Sequence, residues 1–350
     1  MKILFSGGGT LGSVTPLIAI IDYIKEHYPK DEIFWVSTKD GIEKKFFQDA
    51  NIKFYSIHSA KLRRYFSLQN FVDIFKFIWS LFEASKILDE VQPDILFSAG
   101  AYVSVPLVIM GKLKGKKIII HQQDVKVGLA NKIMSRLADK ITVSFPESKY
   151  KFKRKVKLTG NPCRFHGYIK PSNKNRILNK YNLKENKAIL LILGGSSGSQ
   201  RLNQAIYNNI SDLTGKFQVL HVLGIKKGKK IKSRDYHQYN FLQDKVFDFM
   251  YLADMVVSRA GLATLTELSF LKKCVILVPL KGHQEINAGY FYEHKAVEVS
   301  HPDDLVENIF KLSKDKAKIK TLRENISKIL PAQGTKNVVQ EIYKLVRNRK

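Results

Sequence analysis

The sequence predicts an α/β protein built from two successive doubly wound domains with parallel sheets. Three observations support this fold class: a length of 350 residues, a globular composition with 44% hydrophobic residues, and short apolar runs that alternate with longer helical patterns. A chain of this length exceeds one ordinary core, and the alternation is typical of βαβ units. The two cysteines, Cys163 and Cys274, predict neither a disulfide framework nor a metal site, and they favour a reducing, cytoplasmic compartment.

Six short β-rich runs define the first predicted domain. Strands are expected at Lys2–Phe5, Ile33–Val36, Lys53–Ile57, Asp94–Phe97, Lys117–Ile120 and Lys140–Val143. Helical patterns lie between them, and Pro93 ends the long helix before the fourth strand because proline cannot continue a helix. The basic stretch Lys149–Lys157 leads to Leu158–Pro162, where we place the crossing between domains.

A second series of alternating elements begins at Ala188–Leu193, which a glycine-rich turn follows at once. Further strands are expected at Phe217–Val222, Met255–Val257, Val275–Val278 and Ala296–Val299, and closing helices at Asp303–Leu312, Lys316–Ile329 and Thr335–Asn348. The predicted domains are therefore residues 1–158 and 159–333, with residues 334–350 as a terminal helix that packs back on the N-terminal domain.

The charge of the chain is strongly positive, with 59 Lys and Arg against 31 Asp and Glu and a formal net charge of +28. Such a surface attracts polyanions, either nucleic acid or an anionic membrane leaflet, unless lysine is simply the default surface residue. No zinc motif, recognition helix or aromatic RNA-binding pattern accompanies the charge, so nucleic acid is not an expected partner. No stretch reaches the roughly 20 apolar residues of a membrane-spanning helix.

Two predicted strand-to-helix turns are rich in glycine, Ser6–Gly12 and Gly194–Gly198. Glycine lets the backbone approach a ligand closely, and the helix that follows presents free N–H groups and a positive dipole to phosphate. Neither turn has the full dinucleotide fingerprint or the Gly-Lys-Ser/Thr ending of a P-loop. Each turn alone is equally typical of an ordinary connection.

Polar residues at the next strand ends favour a phosphate and sugar site. Arg259 follows the strand Met255–Val257, at the edge of the sheet where such folds bind ligands, and it is placed to meet a phosphate. Glu267, in the next helix, is placed to accept hydrogen bonds from two ribose hydroxyls. Gln284 and Asn287 share one face of the helix after that, and neutral amides suit sugar hydroxyls because they both donate and accept.

These segments and others resemble the MurG family of inverting glycosyltransferases, glycosyltransferase family 28. The resemblance runs almost end to end and rests on Gly8–Pro16, Lys61–Phe66, Gly100–Pro106, His121–Asp124, Gly128–Lys132, Gly160–Arg164, Gly194–Asn203, Arg259–Glu267 and His283–Ala288. It implies two Rossmann-like domains facing a cleft, the GT-B architecture. It also implies transfer of N-acetylglucosamine from UDP-N-acetylglucosamine to the 4-hydroxyl of a polyprenyl-diphosphate-linked muramoyl-peptide, lipid I, giving lipid II for peptidoglycan.

The resemblance further implies roles for individual residues. Glu267 would hold the ribose, Arg164 and Ser196 would lie by the nucleotide and diphosphate, and Gln284 with Asn287 would orient the sugar. The expected donor-binding set is Thr10, Leu11, Gly12, Asp124, Arg164, Ser196, Gln243, Leu262, Ala263, Thr264, Leu265, Thr266, Glu267, Gln284 and Asn287, and the expected acceptor side is Ser13, Tyr102 and Ser104. The backbone near Gln243 would read the uracil. The chain has no Asp-x-Asp motif, so no metal and no cofactor is expected, and helix dipoles and side chains would stabilise the leaving diphosphate.

The first glycine turn departs from the family pattern, Gly-Gly-Thr-Gly-Gly-His. Leu11 replaces a glycine, and Ser13 stands where the family has the histidine that usually serves as base toward the acceptor. Serine with an ordinary pKa cannot act as that base. His121 and Asp124 are the local candidates, although a histidine directly after a buried strand is at least as typical of a structural role. Asp124 stands where the family commonly has asparagine, and the base stays unassigned.

A lipid-linked acceptor requires a surface that reaches the bilayer. An apolar stripe at helical spacing has basic neighbours: the stripe is Phe71, Phe75, Ile78, Trp79 and Phe82, and the neighbours are Lys61, Lys76 and Lys86. Such a stripe either packs on the sheet, which the pattern favours for most of it, or lies in a membrane interface. The additional apolar residues Ile74, Phe77 and Leu81 favour one buried and one exposed side. We expect Phe75, Ile78, Trp79 and Phe82 to face the anionic cytoplasmic leaflet, with the protein peripheral to it.

Three alternatives to this function stay open. A related glycosyltransferase could use another lipid-linked acceptor, such as a glycolipid or a different polyprenyl-linked sugar. A catalytically impaired protein could keep the UDP-sugar pocket after losing its base. A nucleic-acid-binding protein is the alternative that the charge alone suggests, and it ranks last.

Overall fold

The protein forms two compact units in a computed structural model. The described residues are 1–8, 11–39, 52–58, 69–152, 156–165, 174–195, 198–224, 231–240, 242, 245–330 and 333–347. One unit comprises Met1–His166 with Gln333–Lys350, and the other comprises Gly167–Ala332. Each unit is built on its own parallel sheet, so the predicted class of two Rossmann-like α/β domains is confirmed.

Within the described residues, seven parallel strands form the first sheet in the order β3-β2-β1-β4-β5-β6-β7. They are β1 (Lys2–Ser6), β2 (Glu32–Thr38), β3 (Lys53–Ile57), β4 (Ile95–Ser98), β5 (Lys117–Gln122), β6 (Lys140–Val143) and β7 (Val156–Leu158). The six predicted strands are confirmed. The sequence interpretation missed β7, which lies partly in the basic stretch before the expected domain crossing. It is a three-residue edge strand paired only with β6, and two of its residues are exposed, so it carries no apolar run.

The first sheet is buried on both faces. Successive strand residues alternate between two cores: Leu4 and Leu96 face one of them, and Phe5 and Phe97 face the other. This alternation with period two requires helices on both sides of the sheet. The helices of this unit are α1 (Leu11–His27), α2 (Gln69–Val91), α3 (Ser104–Leu113), α4 (Leu129–Met134), α5 (Pro146–Lys149) and, at the C-terminus of the chain, the helix Gly334–Arg347.

Within the described part of the second unit, six parallel strands follow the order β10-β9-β8-β11-β12-β13. They are β8 (Ile189–Leu193), β9 (Gln218–Val222), β10 (Tyr236–Tyr239), β11 (Met255–Ser258), β12 (Cys274–Leu277) and β13 (Glu298–Val299). The helices are α6 (Lys174–Lys180), α7 (Gln200–Tyr207), α8 (Ile210–Lys216), α9 (Lys245–Leu252), α10 (Leu262–Phe270), α11 (His283–Glu293), α12 (Leu305–Lys314) and α13 (Lys316–Ile329). The sequence interpretation missed β10, an edge strand of Tyr-His-Gln-Tyr sequence that lacks aliphatic residues.

The terminal helix, α14 (Gly334–Arg347), packs on the first unit. At its first residue a Cβ would stand 2.1 Å from the carbonyl oxygen of Asn161, so only glycine fits at Gly334. Thr335 exchanges two hydrogen bonds with the backbone of Cys163, at 2.9 and 3.1 Å. The expected division at residues 158 and 159 lies shortly before the boundary between units, and the segment that contacts α14 belongs to the first unit.

Candidate functional site

The carboxyl edge of the second sheet collects most of the predicted donor residues. The glycine turn follows β8, Arg259 follows β11, and the helix that carries Gln284 and Asn287 follows β12. These strands are neighbours in a parallel sheet, in the order β8-β11-β12, so their carboxyl ends share one edge. Open parallel sheets bind ligands at this edge, where the strand order reverses.

The glycine turn needs glycine at two positions for steric reasons. Gly195 and Gly198 have φ angles of +79° and +77°, the left-handed region that disfavours other residues. A Cβ at Gly198 would also stand 2.5 Å from the carbonyl oxygen of Leu223. The close approach lets the turn rest directly on the segment after β9.

Arg259 fixes this turn from the neighbouring strand. Its Nη1 donates to the carbonyl oxygens of Gly194 at 3.3 Å and Gly198 at 3.1 Å. Its Nε is buried and makes no hydrogen bond within the described residues, and burial lowers the pKa of the guanidinium. A buried N–H of a cation without a partner is costly, and an anionic ligand at the turn would satisfy it. The predicted phosphate contact thus gains a second role, which is to hold the turn in shape.

A buried polar network supports the glycine turn after β8. The sequence interpretation did not identify this network. His221 in β9 contacts the Tyr236 hydroxyl through Nδ1 at 2.8 Å and Asn203 Oδ1 through Nε2 at 3.1 Å. Asn203 in turn donates to the carbonyl of Leu223, on which Gly198 rests. Burial lowers the pKa of His221 to about 3, so its ring is neutral. The signal in the sequence was a histidine in the middle of an apolar strand.

Helix α10 carries Glu267, which is 2% exposed. In the predicted run before it, the side chains of Leu262 and Leu265 are buried in the core, and those of Ala263 and Thr264 are partly exposed. The Thr266 hydroxyl donates to the carbonyl of Leu262 at 2.7 Å. The side chains of Leu262 and Leu265 therefore belong to the core, and the N–H of Leu265 already donates to the carbonyl of Gly261 at 3.0 Å.

The two predicted amides of α11 lie beside this helix. Asn287 is buried, and its Nδ2 donates to the carbonyl of Ala260, at 3.3 Å, just ahead of α10. Gln284 accepts from the backbone N–H of Leu280 at 3.0 Å, which fixes the loop between β12 and α11. These hydrogen bonds connect α11 to the segment between β11 and α10 and to the loop that precedes α11.

Several predicted residues are described only in part or not at all. Thr10, Ser196 and Gln243 lie outside the described residues, and Leu11 is described only as the first residue of α1. Gly12 is exposed, and the hydroxyl of Ser13 donates to the carbonyl of Gly8 at 3.3 Å. Arg164 is half-buried in the segment that follows β7.

His121 is a structural histidine of the first unit. It is fully buried at the end of β5, its Nδ1 lies 2.9 Å from Thr142 Oγ1, and its Nε2 lies 3.0 Å from Asn161 Oδ1. Burial lowers its pKa to about 4, so the ring is neutral at physiological pH. Both ring nitrogens are therefore occupied, which corrects its candidacy as base and supports the structural reading that the sequence also allowed.

Asp124, the other candidate base, lies in the loop after β5. Its side chain is half-buried, and its backbone carbonyl accepts from Gln122 Nε2 at 2.7 Å. Within the described ranges, no group of three or more His, Cys, Asp or Glu side chains is placed to hold a metal ion.

The loop after β4 is strained at two successive residues. Gly100 has a φ of +104° and Ala101 a φ of +91°, and the second value is unfavourable for any residue with a Cβ. Ser104 is fully buried, and its hydroxyl lies 2.9 Å from that of Ser6. The side chain supports the loop from inside, and the predicted contact of Ser104 with the acceptor stays a prediction. Tyr102 is half-buried.

The apolar stripe on α2 is exposed where membrane contact was expected. Phe75 is 74% exposed, and Ile78, Trp79 and Phe82 are also exposed. Phe77, on the other side of the helix, packs on the core. The expectation that most of the stripe packs on the sheet is wrong for these four residues, Ile74 is exposed as well, and the side chain of Phe71 lies outside the described residues, so contact of this surface with a membrane stays a prediction. No helix in the described ranges is long and apolar enough to cross a membrane.

Comparison with known proteins places both units in one family. Residues 3–143 match the glycosyltransferase family 28 N-terminal domain, and residues 189–344 match the glycosyltransferase family 28 C-terminal domain. A relative from Clostridium perfringens, named UDP-N-acetylglucosamine--N-acetylmuramyl-(pentapeptide) pyrophosphoryl-undecaprenol N-acetylglucosamine transferase, is 38% identical over 360 residues, which cover 98% of each chain.

A relative of the same name from Lachnospira eligens is 40% identical over 303 residues, or 84% of each chain. The crystal structure of Acinetobacter baumannii MurG matches with a TM-score of 0.73 at 21% identity, covering 98% of this chain and 99% of that one, and this likeness shows the fold. On both family models and on identity over nearly its whole length, the chain belongs to glycosyltransferase family 28, within the MurG family.

Proposed function

We propose that this protein transfers N-acetylglucosamine from UDP-N-acetylglucosamine to the 4-hydroxyl of the muramoyl sugar of lipid I, with inversion at the anomeric carbon. The observation that carries the proposal is the carboxyl edge of the second sheet, where Arg259 holds the glycine turn and the helices that carry Glu267 and Gln284 follow neighbouring strands. Membership of the MurG family supports the donor and acceptor, since the curated relatives are named for that transfer.

The donor half of the mechanism uses fixed polar groups. We assign the ribose hydroxyls to Glu267, whose burial would take the hydrogen-bonded ribose largely out of water and strengthen those bonds. Ser196, Arg164, the N-terminus of α7 and the unsatisfied Nε of Arg259 would face the diphosphate. Gln284 would orient the sugar, with Asn287 fixing the helix that carries it. Thr10–Gly12, Asp124 and the backbone near Gln243 complete the proposed donor set.

The leaving group needs stabilisation because negative charge develops on the diphosphate as its bond to the sugar breaks. Helix N-termini and a positioned guanidinium supply this without reorganisation at the moment of reaction. Arg259 is suited to the task because the turn already fixes two hydrogen bonds of its planar fork.

The acceptor half requires a group that takes the proton of the attacking hydroxyl. We propose Asp124 for this role, since His121 is buried with both ring nitrogens occupied. The acceptor oxygen bonds to the anomeric carbon, the bond from that carbon to the diphosphate breaks, and the hydroxyl proton passes to the carboxylate. Ser13 and Tyr102 would contact the acceptor.

A membrane-facing surface on α2 would bring the enzyme to its acceptor. We propose that Phe75, Ile78, Trp79 and Phe82 enter the interface of the anionic cytoplasmic leaflet, which makes the protein peripheral. Lys76 and Lys86 on the same helix are exposed and would meet acidic headgroups. No role for nucleic acid is proposed.

The donor and base assignments can be tested separately. Calorimetric titration with UDP should show about tenfold weaker binding to Glu267→Gln, and an unchanged affinity for the exposed control Glu293→Gln. Asp124→Asn should lower kcat by a much larger factor than it changes UDP affinity, and Ser13→His should restore part of the rate in that background. Normal turnover of Asp124→Asn would reject Asp124 as base and leave the donor site untouched.

A further inference from the structure

A basic groove lies on the second unit, away from the donor site. It has a volume of about 570 Å³ and is lined by Lys272, Lys316, Ile319, Lys320, Arg323, Glu324, Ser327 and Lys328. Lys272 lies in the turn that precedes β12, at the amino end of that strand. Because the donor residues follow the carboxyl ends of the strands, the groove lies at the opposite edge of the same sheet.

The positive charge of the groove is not neutralised by the protein. Among the residues the structure describes, none of the five lining cations makes an ion pair, and Glu324 is the one carboxylate in the lining. Lys318, on another face of α13, does pair, with Glu298 at 2.8 Å. Lys316 and Lys320 are four residues apart and share one face of α13, and Lys328 lies about 18 Å farther along the helix from Lys316.

The backbone around Lys272 positions two of the lining cations, Arg323 and Lys272 itself. Arg323 donates its Nε–H to the carbonyl oxygen of Lys272 at 2.9 Å, which orients its guanidinium. Lys272 itself has a φ of +52°, in the left-handed region where glycine is favoured at the end of a helix. Gln92 and Lys295 adopt the same conformation after other helices, so Lys272 forms an ordinary left-handed helix end, at a modest conformational cost for a lysine.

We propose that this groove binds a water-soluble anion with several phosphate groups. Its size exceeds what a single phosphate fills, and flexible lysines around one fixed guanidinium suit a chain of phosphates. Nucleic acid is disfavoured because the lining has no aromatic side chain on which bases could stack. A lipid surface is disfavoured because Ile319 is the single apolar residue of the lining.

The test uses inorganic tripolyphosphate as the probe and saturating UDP to fill the donor site. Calorimetry at about 0.15 M salt should show one saturable site in the wild-type protein. The double variant Lys316→Gln/Lys320→Gln should bind about tenfold more weakly. Lys311→Gln/Lys314→Gln, with the same change in net charge on exposed residues of α12, should bind as the wild type does.

A second variant separates binding from folding. Lys272→Gly removes the conformational cost and one cation, so it should unfold at higher denaturant yet bind tripolyphosphate more weakly. Equal losses in the groove and control variants, or the absence of a saturable site, would overturn the proposal. The proposal would also fail if Lys316→Gln/Lys320→Gln bound tripolyphosphate as the wild type does but no longer sedimented with phosphatidylglycerol vesicles. The same holds if that variant kept tripolyphosphate binding but no longer retained single-stranded DNA.

Discussion

The Nη1 atom of Arg259 lies 3.1 Å from the carbonyl oxygen of Gly198 and 3.3 Å from that of Gly194. The end of β11 thus determines the shape of the turn that follows β8, the strand beside it. A phosphate site made of backbone N–H groups depends on the shape of this turn. Arg259 can therefore affect phosphate binding indirectly, by holding the turn in that shape.

Replacing Arg259 by lysine keeps the charge and removes the planar fork. We expect UDP to bind about tenfold more weakly, because a lysine has one nitrogen and cannot hold the turn while also offering the separate N–H that the buried Nε of Arg259 provides. Isothermal calorimetry with UDP measures this. Arg176→Lys is the matched control, since Arg176 is exposed on α6, and unchanged UDP affinity of Arg259→Lys would show that the turn holds its shape alone.

The strained loop after β4 predicts a stabilising substitution. Ala101 has a φ of +91°, so Ala101→Gly should raise the free energy of unfolding by about 1 kcal/mol as the clash of the Cβ disappears. Ala205→Gly, at a half-buried position within α7, should instead lower it by about 1 kcal/mol, because glycine is a poor helix former. Urea denaturation of both variants checks the opposite signs, and a loss of stability in Ala101→Gly would contradict the strain.

Lys273 predicts a specific dependence of stability on pH. Burial lowers its pKa from 10.5 to about 8, and its ammonium donates to the carbonyls of Tyr251 and Ala253. Between those pH values the unfolded chain holds a proton that the folded chain has released, so this residue makes stability rise with pH.

Lys273→Met removes that titration and leaves the remaining groups in place. The free energy of unfolding of the wild type, relative to the variant, should therefore grow by up to roughly 1.4 kcal/mol per pH unit between about pH 8 and 10. Urea denaturation in phosphate-free buffer gives this difference. Parallel pH curves for the two proteins would contradict an internal Lys273 with a lowered pKa.

The exposed stripe on α2 predicts that replacing its aromatic side chains weakens membrane binding. Trp79→Ser/Phe82→Ser should reduce sedimentation with anionic vesicles and leave UDP affinity unchanged, because the aromatic rings insert among the lipids. The control Leu113→Ser/Tyr292→Ser removes two exposed apolar side chains elsewhere and should sediment normally. Unchanged sedimentation of the α2 variant would reject this surface.

The sequence predicts the central strands well, and of the four edge strands of the described sheets it predicts β3 and β13 and misses the other two. Central strands such as β8 are continuous apolar runs because both faces are covered. The edge strands β7 and β10 lack such runs, so their sequences resemble loops. Their existence depends on pairing with a neighbour, which no local pattern encodes.

The features of the site that could be predicted from the sequence are likewise the local ones, and those that depend on tertiary contacts could not be predicted. The positions of Arg259 and Gln284 at strand ends follow from local patterns and from the family motifs. The contact of Arg259 with the glycine turn, the burial of Ser104 and the exposure of Phe75 depend on which elements become neighbours. Hydrophobic periodicity places Phe75 and Phe77 on α2 and does not say which side meets the sheet.

The most direct measurement is the transfer of labelled N-acetylglucosamine from its UDP donor to a lipid I analogue, with a glycolipid acceptor in parallel. The account predicts a disaccharide product with the lipid I analogue in the wild-type protein, loss of most of it in Glu267→Gln, and no product with the glycolipid. Donor binding without transfer to lipid I would contradict the proposed reaction, and transfer to the glycolipid alone would contradict the proposed acceptor.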